Sequence, residues 1–482
     1  MNNSNKEMQL LKALAIGKNE YLEQLIVLGN GFDLASGLKS SYSDFFDYIF
    51  TKKSFQNNYW YKVFNYSNRD NSNKDNNWTD IESRILMELQ ILEFLFDFNI
   101  LQDVKKEIEN DESILANFHM IRHKDSNDID QLVSEVSGAT DLRKKIYNPL
   151  STNLKYENLN FHSIVWTASI LLLDAYNFIS SVEDVHQFLK NELTKLEADF
   201  KNFLEEQINS AYHDCYLEID SNSQVKLRLQ NYFWKTSCLI SYLINSSVPV
   251  SSQFKPLILN QEADDEEEDH IPDLEVFYNF WKRTYSNFQT KINLDFIKDT
   301  KSSFFISNYI LSFNYTNPFH DNYNISHSSY IRNIHGDLDS SNLIFGIDYD
   351  KLISHFSKPP IYFSKSYRIL ENNTPSNFNI SSTIKIIKFY GHGLGVADYS
   401  YFQSIFDTVD LYHGTTKLIF FWSTYKGADK DSLYKEQVKK VVNLIEVYGS
   451  TFTNKNHGRN LLTKLQLENR LIIKEIKSID NL

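Results

Sequence analysis

Gln24-Leu25-Ile26-Val27-Leu28-Gly29-Asn30-Gly31-Phe32-Asp33-Leu34 is an apolar run that stops abruptly at a glycine pair. A short, continuously apolar segment bounded by a turn signal reads as a strand buried on both faces, the habit of parallel sheets. The glycines permit the tight exit such a strand needs. Beyond it, Ser40 or Ser41 is placed to cap a helix from Tyr42 to Ile49. The strand has no neighbour in the sequence around it. The next strand-like segments come after residue 300: Tyr309 to Phe313, Tyr330 to Ile334, Asn342 to Ile347, Thr383 to Tyr390, Lys417 to Trp422 and Leu471 to Ile476. Helical patterns near 398–408, 431–448 and 458–467 fall among the later ones. Strands alternating with helices argue for a parallel sheet covered on both faces. The first strand therefore belongs to that distant sheet, in an α/β core.

The division that follows has three parts. Residues 1–50 hold a tail and the first strand-loop-helix, 51–300 a mainly helical insertion, and 301–482 the remainder of the core. Within the middle, Ile81 to Leu89 is helical, and Glu183 to Ile208 carries Val185, Leu189, Leu193, Leu196, Phe200, Phe203 and Leu204 on one stripe. Such a stripe is core or a partner seam. Asn65 to Asn77 reads as a flexible loop, and the acidic run 262–269 as a solvated linker.

Bulk composition narrows the function classes. The chain has 482 residues, 42% of them hydrophobic, which is ample for a packed core. The formal net charge is −13, with no Lys/Arg run, so a nucleic-acid partner is not expected. Cys215 and Cys238, the two cysteines, sit in no zinc-spaced cluster and read as buried thiols of a reducing cytoplasm. The N-terminal segment lacks a long apolar stretch of the signal-peptide kind. Ile164 to Ile179, the most apolar stretch, is too interrupted to span a bilayer. A bacterial cytosolic protein with no membrane partner is the expectation.

Four motifs fall at expected strand ends. The first is the loop Gly29, Asn30, Gly31, Phe32, Asp33, where backbone amides are suited to phosphate. The second is Phe313-Asn314-Tyr315-Thr316-Asn317-Pro318, where polar side chains emerge as a strand ends. The third is Ile334-His335-Gly336-Asp337, whose imidazole is suited to general-base work near neutral pH. The fourth is Tyr390-Gly391-His392-Gly393-Leu394-Gly395-Val396-Ala397-Asp398, a second glycine-rich rim. Each has a plainer explanation taken singly. The glycines make a tight turn, Asn314 an Asx-turn, His335 a core contact and Asp398 a helix cap. Their order, one per strand end, is the stronger signal.

The segments GNGFDLASGLKSSYSDF, FNYTNPF, IHG, LIFGID and FYGHGLGVADYSYF resemble the AbiH-like family of phage abortive-infection proteins, and Trp78-Thr79-Asp80-Ile81-Glu82 resembles that family's Trp-x-Asp-x-Glu segment. Gly393 stands where that family usually has Ser. The motif order is also similar to that of sirtuin-like domains of prokaryotic defence proteins, which have a Rossmann-like fold and of which many cleave NAD. That resemblance implies Asn314 and His335 as the catalytic pair, with Gly29, Asn30, Gly31, Phe32, Asp33, Thr316, Gly391, His392 and Asp398 lining the nucleotide site. Asn30 replaces the usual Ala, and Thr316 and Asn317 stand where an acid is common.

The implied activity is hydrolysis of NAD at the nicotinamide–ribose bond, with NAD as substrate and no cofactor or metal required. Asp33 or Glu82 would supply a carboxylate toward the developing positive charge. Implied partners are a phage-derived trigger or a partner defence protein, with a homo-oligomer left open. Two other classes compete: a nucleotide-binding sensor without catalysis, and a nuclease-type toxin.

Overall fold

The computed structural model describes residues 21–52, 57–69, 80–123, 129–175, 181–213, 216–219, 225–228, 235–236, 239–240, 243–244, 305–317, 329–340, 342–372, 378–424 and 427–476. Six strands form one sheet: β1 (Tyr21–Leu28), β2 (Phe305–Ser312), β3 (Ser329–Asn333), β4 (Ile386–Tyr390), β5 (Lys417–Ser423) and β6 (Leu471–Ile476). Their order is β3-β2-β1-β4-β5-β6, and every neighbouring pair is parallel. The early strand thus pairs with strands from the far end of the chain, as its isolation requires. It sits at the centre, which explains its unbroken apolar run.

Contacts divide the chain into two units. One comprises Met1–Ser40, Leu204–Ser340 and Pro375–Leu482, and contains the sheet; the other comprises Ser41–Phe203 and Ser341–Thr374. In the sheet unit, one face carries Ile26, Leu28, Ile310, Ile386, Tyr390, Ile419 and Phe421, in one core with helical residues Leu239, Ile240, Leu243 and Ile244. On the other face, Phe389 packs on Phe402 and Phe406 of the helix Tyr399–Thr408. Three polar side chains, Gln24, Asn308 and Lys388, enter the first face. Gln24 Nε2 donates to the Ile244 carbonyl at 2.9 Å and to Asn308 Oδ1 at 2.6 Å. Lys388 Nζ donates to the carbonyls of Leu243 and Ile244. Lys388 is wholly buried, and that burial, with a smaller repulsion from Lys474, pushes its ammonium well below the usual lysine range.

The second unit is mostly helical. The helix Tyr42–Phe50 opens with a reciprocal cap in which Ser41 accepts from the Asp44 amide and Asp44 accepts from the Ser41 amide. The stripe on Val182–His213 is core: Val185, Leu189, Leu193, Leu196, Phe200 and Phe203 of this unit are all buried, as is Leu204, where the sheet unit resumes. The apolar helix Phe161–Ala175 is also core. Among the described residues, no helix is long and apolar enough to cross a membrane.

Two expectations change. Asn342 to Ile347 is not a strand; its sole ladder contact is an isolated bridge between Ile347 and Ser364. Within it, the backbone of Phe345 is held by a buried ion pair, and Ile347 bonds the backbone of Phe363 and Lys365. The Phe345 amide donates to Glu197 Oε1 at 2.6 Å, the Phe345 carbonyl accepts from Arg368 at 2.9 Å, and Arg368 and Glu197 hold each other. An apolar run buried this way has the same pattern as a strand. Asn65 to Arg69 continues the helix Tyr59–Arg69, so a loop does not begin at Asn65. The rest of that segment and the acidic run 262–269 lie outside the described residues. Within the stretch read as mainly helical, Tyr216–Ile219 and Val225–Arg228 form an antiparallel strand pair.

Candidate functional site

Strand register brings the four motifs to one edge. Leu28 pairs with Ser312 on one side and Tyr390 on the other, and Ser312 pairs with Asn333. The residues that follow them in the chain leave the same carboxyl edge. From β1 the chain steps outward through β2 to β3 and then returns to the opposite side of β1 as β4. Open α/β sheets bind ligands at that reversal, outside the strands' carboxyl ends.

The two glycine loops meet there. The Gly29 amide donates to the Tyr390 carbonyl at 3.0 Å, and the Gly31 amide to the Gly391 carbonyl at 2.8 Å. A Cβ on Gly29 would lie 2.5 Å from Cα of His392, and one on Gly31 2.7 Å from Cα of Gly391. One on Gly391, whose φ is +69°, would lie 2.3 Å from the Phe32 amide nitrogen. These glycines are therefore required by backbone contact between the loops. The Phe32 amide donates to the Gly29 carbonyl at 2.9 Å, so the amides of Gly29, Gly31 and Phe32 are all spent within the protein.

The second motif is tied to the first. Asp33 and Thr316 are both buried, and Thr316 Oγ1 donates to Asp33 Oδ2 at 2.6 Å. Asn30 Oδ1 accepts from Ser40 Oγ at 2.6 Å. Asn333, at the end of β3, donates from Nδ2 to the carbonyls of Asn314 and Thr316, each at 2.9 Å. Asn314 is 3% exposed, and its Oδ1 is buried with no hydrogen-bond partner among the described residues.

The third and fourth motifs converge on one carboxylate. Asp398 Oδ1 lies 3.8 Å from Nε2 of His335, and its Oδ2 lies 3.4 Å from Nε2 of His392. Nδ1 of His392 accepts the Leu394 amide at 2.9 Å, and Leu394 holds a left-handed φ of +51°. Phe313 packs roughly perpendicular to both imidazoles, with ring centroids 5.5 Å from His335 and 4.5 Å from His392. Tyr315 and Tyr401 also approach His335. Both neighbours of Asn314 thus pack against His335.

Of the two candidate carboxylates, Asp33 is engaged by Thr316, and Glu82 pairs with Lys365 inside the helical unit. Asp80 caps the helix Ile81–Asp97 through the Ser83 amide; Trp78 and Thr79 lie outside the described residues. Sequence reasoning did not single out Asn333, the clamp on the Asn314 loop, although an Asn two residues before His335 at a strand end was a visible signal. It also missed the ring of Phe313. Among the described residues, no group of three or more His, Cys, Asp or Glu side chains could hold a metal ion.

Fold and site define an α/β protein with a polar constellation at the carboxyl edge of a parallel sheet. Residues 25–420 match the sequence model of the family described as Bacteriophage abortive infection AbiH, and the chain belongs to that family. The family suggests a role in abortive-infection defence against phage. No curated protein and no solved structure matches the chain.

Proposed function

We propose that this protein is a phage-defence effector that binds NAD at the carboxyl edge of its sheet and hydrolyses the nicotinamide–ribose bond. The observation that carries the reading is the buried Oδ1 of Asn314, which has no hydrogen-bond partner among the described residues, on a loop whose Phe313 and Tyr315 pack against His335. A buried acceptor left without a donor is costly, and a ligand hydroxyl or water would satisfy it. The strand order 3-2-1-4-5-6 is that of doubly wound dinucleotide-binding sheets, with the helical segment as an insertion, and supports a Rossmann-like, sirtuin-like assignment.

In this reaction nicotinamide leaves with the bonding electron pair, which neutralises its ring charge. Water oxygen bonds to the ribose carbon, and the water proton passes to His335. Asn314 orients the ribose hydroxyls or the water. Because the amides of Gly29, Gly31 and Phe32 are engaged, the pyrophosphate falls to other donors. The protein needs no cofactor in this reading. It acts in the cytoplasm, where a phage-derived trigger or partner defence protein would switch it on.

The test is NAD consumption by purified protein beside Asn314→Ala and His335→Ala, with and without phage lysate. Turnover lost in both variants with folding intact is expected. Saturable NAD binding without turnover in any condition would replace this reading with a nucleotide sensor.

A further inference from the structure

We propose that Asp398 is a positioning residue that fixes His335 with its proton on Nε2, leaving Nδ1 as the nitrogen that receives a proton, while His392 holds the carboxylate. The role of Nδ1 in catalysis rests on the hydrolase reading; the tautomer does not.

A neutral imidazole has one N–H and one lone pair. In His392, Nδ1 accepts the Leu394 amide, so the proton is on Nε2, directed at Asp398 Oδ2. The other oxygen of Asp398 faces Nε2 of His335, and that nitrogen is sealed from solvent. A lone pair there would oppose the carboxylate's own lone pairs, whereas an N–H would be attracted. At 3.8 Å the pair is longer than a hydrogen bond, and a closure of about 1 Å would complete it. Site contacts of this kind commonly tighten only when the ligand is bound.

Asp398 occupies the N-cap position of the helix Tyr399–Thr408 yet makes no side-chain capping bond there. Its carboxylate is turned to the two imidazoles instead. Phe313 and Tyr401 wall the group with aromatic carbon, which strengthens charge interactions inside it. Once Nδ1 of His335 takes a proton, both nitrogens carry N–H, and the imidazolium charge faces Asp398. The logic is that of the buried carboxylate in a Ser-His-Asp triad, which orients its imidazole without taking the proton.

The experiment uses full-length protein with isotope-labelled histidine rings, assigned with His335→Gln and His392→Gln. Ring-nitrogen NMR is expected to show His335 and His392 both as the Nε2–H tautomer. Asp398→Ala, or the isosteric Asp398→Asn where Ala unfolds, should release His335 to a mixture and leave His392 unchanged. With NAD, kcat should fall about 100-fold or more while KM stays nearly constant, and Asp398→Glu should recover part of the loss. A wild-type His335 protonated on Nδ1 would overturn the proposal, as would an Asp398 variant with an unchanged His335 tautomer. If the wild type does not turn over NAD, the hydrolase reading fails, and the tautomer readout still decides this proposal.

Discussion

Gly31 and Gly391 touch backbone to backbone: the amide of one donates to the carbonyl of the other at 2.8 Å, and neither leaves room for a Cβ on its partner's side. Two loops that leave adjacent strands are locked by this contact. Gly31→Ala should therefore destabilise the fold by about 2–3 kcal/mol, as overpacking does. Gly391→Ala should cost about 1–2 kcal/mol more, because its φ is left-handed. Urea midpoints of the two variants check both the direction and the order.

Gly393 is a contrasting case. A Cβ there meets nothing within 4 Å, and its φ is not among the left-handed ones. Gly393→Ser should change stability by no more than about 0.5 kcal/mol. A large drop in the urea midpoint would contradict the open space at that position.

Asn333 clamps the loop that carries Asn314. Asn333→Ala removes donors from two carbonyls and should cost roughly 1–3 kcal/mol. Hydrogen exchange is the sharper measurement, because protection should fall first at residues 313–317.

Lys388 makes a prediction about pH. Its folded pKa is lowered by burial, so between that value and the usual lysine range the unfolded chain binds more protons than the folded one. Stability contributed by this group therefore rises with pH across that window, by at most about 1.4 kcal/mol per pH unit. Lys388→Met lacks this slope. Subtracting its stability from the wild type's at each pH should leave a rising difference; a flat one would show that Lys388 does not titrate in this way.

Much of the edge was legible because strand ends announce themselves. Leu28-Gly29, Phe313-Asn314, Ile334-His335 and Tyr390-Gly391 each join an apolar run to polar or glycine residues, and the register aligns all four. The false strand at Asn342 to Ile347 shows the limit of that signal. Its apolar residues are buried, as a strand's would be, but Glu197 and Arg368 bind the backbone of Phe345 and only a single bridge forms, at Ile347. The glycine loops also make room for each other's backbone, which one chain segment cannot reveal because it does not show what will fill the space beside it.

Local pattern determined the apolar central strand, the capped helix after Ser41, the stripe on Val182–His213 and the family to which the chain belongs. These depend on side-chain period and turn chemistry, which neighbouring residues specify. Tertiary structure alone decided that Asp33 binds Thr316, that Asn333 clamps Asn314, and that Asp398 faces His335 and His392 instead of capping its helix. Those pairings join residues brought together by strand order, and a polar side chain's partner is set by what packing places within about 3 Å of it, not by its position in the chain.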